Sequence, residues 1–215
     1  MVNLIEFFLE TGKLKDLKRS GWLLRKVKNP ESVAEHSFRA SLMAWVLGQR
    51  RGLDSTKLLK MLLIHDLVEV LAGDSTPYDD LVTPKADLDK LLSNWPRRTK
   101  EEKERLFKEK HTRELTALKK ITAKLPTDLR KEMHDLWMEY DVGSSLEGRF
   151  ARQLDRIETL LQALEYEKKN KKVNVLSFWY QLKELADDPV IIEFMEELDK
   201  YFYGYSTKTK KQLKS

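Results

Sequence analysis

With 215 residues the chain has room for one full hydrophobic core and is short for two, so a single domain is expected. Hydrophobic residues make up 41% and charged residues 35%, the balance of a globular protein with a heavily charged surface. There is no cysteine, which excludes disulfides and thiolate chemistry and suits a reducing compartment. No apolar run approaches the ~20 residues of a membrane span, and Met1 to Glu10 lacks the basic start and long apolar core of a signal peptide. A cytoplasmic protein without membrane attachment is expected. The net charge of +5 is the excess of 40 basic over 35 acidic residues, and part of it sits in Lys208 to Lys214. That stretch reads as a basic, disordered tail, 206–215, after a domain of 1–205. No aromatic residues interleave with its bases as nucleic-acid stacking requires, so stable nucleic-acid binding is not expected.

Leu4 to Leu17 reads as one or two short amphipathic helices. Lys18 to Val27 carries Arg19, Gly21, Trp22 and Arg25 and leads to Asn29-Pro30, where the proline pushes Asn29 away from helical geometry. A loop with Trp22 as packing anchor is expected. Ser32-Val33-Ala34-Glu35 is a capping-box pattern that opens a helix, on which His36, Ala40, Met43, Ala44 and Leu47 share one stripe. This helix stops near Gly52, and Asp54 or Ser55 caps the next. That one runs through Met61 to Leu71, apolar on every side except at His65, Asp66 and Glu69, the pattern of a helix buried all round. At helical spacing Glu69 lies one turn beyond His65 and Asp66, so the three can converge; a hydrogen-bonded His-Asp pair with Glu69 reaching solvent is the alternative.

Gly73 to Asp80 has turn chemistry, with Asp74 close to any site at the helix end and the later acids as turn formers. Pro84 to Leu92 is a candidate short helix. Thr99 to Lys124 reads as a long, mostly exposed helix with Leu106, Leu115, Leu118 and Ile121 inward and His111 as a surface histidine. Pro126 starts a helix through Met133, Leu136 and Trp137, with His134 off that stripe. Ser145 to Lys169 is strongly amphipathic, with Leu146, Phe150, Leu154, Ile157, Leu160, Leu161 and Leu164 inward. Asp155 sits at the margin of that face, where it can equally be a surface acid paired with Arg152 or Arg156. Helices about Val175 to Ala186 and Pro189 to Tyr203 complete an all-α chain with no strand and no internal repeat.

Ionisable groups carried into an interior are costly unless a partner or an ion compensates them. His36 with His65-Asp66 offers two nitrogens and an oxygen, a mixed set that suits manganese, cobalt, iron or zinc better than copper(I). A fourth acid is needed, and spacing alone does not choose it.

His36, then His65-Asp66, then Asp155 resembles the H…HD…D signature of the HD-domain metal-dependent phosphohydrolases, an all-helical superfamily. Arg19-Ser20-Gly21-Trp22, Pro30 to Ser37, Ile64 to Glu69, Gly73-Asp74, Phe150 to Asp155 and Leu161 to Tyr166 resemble its 5′-deoxynucleotidase branch, so the likeness reaches from about residue 19 to 167. It implies a compact single-domain helical bundle and one divalent ion (manganese, cobalt, iron, zinc or magnesium) held by His36, His65, Asp66 and Asp155. It implies further that Glu69 and Asp74 are catalytic, that Arg19 and Trp22 contact the phosphate and deoxyribose of a nucleotide, and that the protein is a homodimer. The reaction implied is hydrolysis of a deoxyribonucleoside 5′-monophosphate, with the ion lowering the pKa of a water and offsetting phosphoryl charge. The loop Thr76 to Asp80 and Gly148 depart from the family's usual pattern and bear on loop conformation and substrate choice. Two other readings stand beside this one: an HD phosphohydrolase for another nucleotide or phosphate ester, and a silent helical adaptor binding partners through Thr99 to Lys124.

Overall fold

A computed structural model describes residues 1–94, 96–171 and 173–204, and the basic tail 206–215 falls outside the described residues. Helix α1 (Val2–Gly12) ends in a 3-10 turn over Lys13–Lys15 and is followed by the short α2 (Ser20–Leu24). Helix α3 (Val33–Arg51) opens on the expected capping box and closes at Gly52, whose φ of 76° is left-handed; Asp54 then caps α4 (Ser55–Ile64). The short α5 (Glu69–Ala72) and α6 (Leu88–Leu92) precede α7 (Lys100–Thr122), α8 (Thr127–Val142) and α9 (Leu146–Lys169). Helices α10 (Leu176–Leu185) and α11 (Pro189–Tyr203) end the described chain. The class is all-α; among the described residues extended pairing is limited to an isolated bridge between Lys18 and Ser32.

The packing centre is α9, which meets α3, α4, α8, α10 and α11. Its Leu154, Ile157, Leu160 and Leu164 are fully buried against Ala40 and Ala44 of α3, Leu58, Met61 and Leu62 of α4, and Trp179 and Leu182 of α10. Each such side chain contributes about 1.5–3 kcal/mol by leaving water, so α9 is held rigidly and its polar margin inherits that rigidity. A second cluster of Val33, Ile64, Leu67, Val68, Leu118, Ile121 and Trp137 lies on the other side of the site.

Four expectations are corrected. The segment Lys18 to Val27 is not a plain loop: Arg19 N–H donates to Glu31 O at 3.1 Å and Val33 N–H to Leu17 O at 2.9 Å, and the chain clamped between them coils into α2 over the buried Trp22. The helix expected to run through Met61 to Leu71 breaks after Ile64, because Glu69 N–H bonds the carbonyl of Asp66 at 3.0 Å, a 3-10 turn in place of α-helical pairing. Leu63 and Leu146, expected inside, are exposed. His111 is not a free surface histidine; it is half-buried, packs between Phe107 and Trp137, and bonds the Asp141 carboxylate at 2.5 Å.

Candidate metal centre

His36 sits on the first turn of α3, His65 and Asp66 just past the end of α4, and Asp155 in the middle of α9. Their donor atoms meet. His36 Nε2 lies 3.3 Å from His65 Nε2, 3.2 Å from Asp155 Oδ1 and 3.6 Å from Asp66 Oδ2, and His65 Nε2 lies 3.1 Å from Asp66 Oδ2. Ligands that share one ion at about 2.1 Å stand about 3.0 to 3.4 Å apart, so the set has nearly the spacing an ion requires.

The chemistry of the donors fits as well. His36 Nδ1–H donates to the fully buried Glu158 carboxylate, and His65 Nδ1–H donates to the Leu62 carbonyl at 2.7 Å. With Nδ1 of each ring engaged, both rings turn Nε2 toward the same point, where a cation, a proton on His36 or a metal ion, relieves the contact between them. Burial and the Arg19 charge push the His36 imidazole down, yet Glu158 and Asp155 overcome both and hold it up at about 10. Burial pushes Asp66 up, but His65, Arg19 and His36 hold it well below the usual carboxylate range. Asp155 behaves alike: burial raises it, and the His36 bond, Arg156 and His65 bring it far down. The pocket favours positive charge, whether as a proton on His36 or as a divalent ion.

The two surface partners weighed for Asp155 separate here. Arg156 does bond Asp155, at Oδ2 and 3.1 Å, where the Tyr140 hydroxyl also donates at 2.9 Å, leaving Oδ1 to the histidines. Arg152 turns instead to the main-chain carbonyl of Asp141.

Glu69 is buried, and its Oε2 has no hydrogen-bond partner among the described residues. Burial with Asp66 and Asp74 nearby pushes its carboxyl well above the usual range. Gly73, with a φ of 78°, turns the chain back so that Asp74 accepts from Ser20 N–H and stands 3.8 Å from Arg19. Arg19 is largely committed to acids: its Nη1 bonds Asp66 at 2.9 Å and its Nη2 reaches Thr159 at 3.4 Å. Trp22 is the expected packing anchor, 1% exposed, with Nε1–H bonded to Glu31 at 2.9 Å.

Beside the donor set opens a cavity of about 290 Å³, the lower end of the range for small-molecule sites. Arg19, Trp22, Asp66, Glu69, Asp74 and Asp155 line one part of it; Arg25, Tyr78, Phe178 and Gln181 line another. Residues that the sequence reading missed are Glu158, Arg39, Glu31 and Tyr140. A signal existed for two of them, since Arg39 follows His36 by one helical turn and Glu158 follows Asp155 by one.

Comparison with known proteins decides the family, for the HD domain model matches residues 11–188. The chain belongs to the HD-domain family. It is 36% identical over 198 residues to a protein named 5′-deoxynucleotidase HDDC2 from Homo sapiens, across 92% of this chain and 85% of that one. The HDDC2 5′-deoxynucleotidase of Dictyostelium discoideum is also 36% identical, over 190 residues, 83% of this chain and 87% of the relative. Among solved structures, a conserved hypothetical protein from Pyrococcus furiosus superposes with a TM-score of 0.65 at 28% identity, covering 91% of this chain and 99% of its own. A predicted metal-dependent phosphohydrolase from Magnetospirillum magnetotacticum gives 0.62 at 27% identity, covering 93% and 91%. In this HD-domain chain the signature residues His36, His65 and Asp155 bring their donor atoms together, and Asp66 and Asp155 line the cavity beside them.

Proposed function

We propose that this HD-domain protein is a metal-dependent 5′-deoxynucleotidase, which cleaves a deoxyribonucleoside 5′-monophosphate to the deoxyribonucleoside and phosphate. The observation that carries the reading is the pair of histidine Nε2 atoms, 3.3 Å apart, facing two carboxylates beside a cavity of about 290 Å³. The relatives named 5′-deoxynucleotidase supply the substrate class.

His36, His65, Asp66 and Asp155 would hold one divalent ion. When bound, such an ion supplies a water of lowered pKa and offsets charge on the phosphoryl oxygens. Glu69, buried beside Asp66 and Asp74 with Oε2 unpartnered among the described residues, would accept the proton of the attacking water. Asp74 orients that end of the cavity and keeps Arg19 in place. Arg19, which lines the cavity, would present its guanidinium to the phosphate, its charge being secured by the surrounding acids against the effect of burial. Trp22 limits the space for the sugar. The tail aside, residues 1–205 act as one domain in the cytoplasm. No helix among the described residues is long and apolar enough to cross a membrane. A homodimer belongs to the same proposal, supported by the exposed stripe of Phe38, Leu42, Trp45 and Val46 on α3, and sedimentation of wild type against Trp45→Glu tests it.

The function is tested by phosphate release from deoxyribo- and ribonucleoside monophosphates and other phosphate esters, after metal removal and return of manganese, cobalt, magnesium or zinc. Metal-dependent release favouring the deoxynucleoside monophosphates is expected. Release confined to another ester class would shift the assignment to a different HD phosphohydrolase.

A further inference from the structure

Outside the donor set lies a second layer of polar side chains to which no role has been given. Arg39 follows His36 by one turn on α3, and Glu158 follows Asp155 by one turn on α9, so both point along the faces that carry the proposed ligands. The Glu158 carboxylate divides its two oxygens. Oε2 accepts from His36 Nδ1–H, while Oε1 accepts from Arg39 Nε at 2.7 Å and forms an ion pair with its Nη2 at 2.6 Å. Arg39 is fixed in turn: Nη1 donates to Glu165 at 3.0 Å and Nη2 to Gln162 Oε1 at 2.7 Å.

The side chain of Glu158 is fully buried, and a carboxylate in that position is costly to hold without a paired cation. Arg39 is that cation, and its planar fork also sets the carboxylate's rotation. Glu158, so oriented, can only accept from His36 Nδ1, which keeps the proton on that atom and turns Nε2 toward His65 and Asp155. Removing Arg39 leaves Oε1 without its partner and frees the carboxylate to rotate, and the His36 ring loses its fixed direction.

We infer that Arg39 is a positioning residue that sets the affinity of the centre for its ion, acting through Glu158 on the His36 ring. The inference rests on the reading of His36, His65, Asp66 and Asp155 as an ion site. It goes beyond that reading by assigning the control of affinity to residues that touch neither ion nor substrate.

The experiment is titration calorimetry of the full, metal-stripped chain with Mn²⁺, for wild type, Arg39→Met, Glu158→Gln and the double variant, with helical content checked by circular dichroism. Loss of such an outer partner weakens ion binding by about 10- to 100-fold, and that is the fall expected for Arg39→Met. In the Glu158→Gln background the same change should alter affinity by less than about twofold, because the route through Glu158 is already gone. Should Arg39→Met fail to fold, Arg39→Lys carries the test, since it keeps the charge without the fork; a fall of about threefold or more supports the inference and wild-type affinity overturns it. A wild type that binds no Mn²⁺ removes the ion site itself. A wild type that binds, with Arg39→Met equally tight or the two changes additive, leaves the site standing and overturns the role of Arg39.

Discussion

The indole Nε1–H of Trp137 on α8 donates to the main-chain carbonyl of His65 at 3.1 Å. In a continuous α-helix that carbonyl would accept from Glu69 N–H; with the acceptor taken, Glu69 bonds Asp66 instead and the chain tightens into a 3-10 turn. Side chains three residues apart eclipse in that geometry, which brings the Glu69 and Asp66 carboxylates together at the cavity. Replacing Trp137 with Phe should cost about 1–3 kcal/mol for a buried carbonyl left unpaired. Urea unfolding measures this, and wild-type stability would show that the carbonyl finds another partner.

Glu69→Gln keeps the size of the side chain and removes its basicity. Turnover of a deoxynucleoside monophosphate is expected to fall by about 100-fold or more, the usual contribution of a positioned base, with ion content retained. Unchanged turnover at full ion loading would take the proton-accepting role away from Glu69.

Gly148 has no room for a side chain, since a Cβ built there falls inside 3.0 Å of the Glu139 main chain where α8 and α9 cross. Gly148→Ala should therefore destabilise by about 1–3 kcal/mol through overpacking, despite alanine's better helix propensity. Thermal unfolding decides the sign; a gain in stability would mean that the two helices separate at little cost.

Burial and the neighbouring Glu158 charge push the Glu31 carboxyl up from its ordinary 4.5 to about 7, against the pull of His36 and the Trp22 bond. The folded protein thus holds a proton that the unfolded chain releases, so stability from this group is present below 4.5 and lost as pH rises to about 7. Glu31→Gln keeps an acceptor for Trp22 without the charge. In ion-free protein it should exceed wild type by roughly 2 to 3 kcal/mol at pH 8 and match it at pH 4.5. Parallel stability curves across that range would contradict the shift.

Much of this centre was legible in the sequence because its parts are local. The capping box at Ser32 and Glu35 starts α3 and so fixes where His36 falls, while the apolar stripe of α9 carries Asp155 at its margin. The break after Ile64 was not legible, since it depends on an indole from Trp137, distant in sequence. Nor was α2, which forms because Lys18 and Ser32 bridge. His111 looked solvated among its lysine and arginine neighbours in sequence, and only packing of α7 on α8 brings Asp141 to it. Glu158 and Arg39 carried the helical spacing of their neighbours but no other mark distinguishing them from surface charges.

Ion content and phosphate release, measured on the same samples of wild type, His65→Ala and Asp66→Ala after stripping and reloading with manganese, decide whether this centre holds the ion that hydrolysis needs. One ion per wild-type chain with metal-dependent release is expected, and loss of both in each variant that remains folded. Release that persists in His65→Ala or Asp66→Ala without bound ion would contradict it.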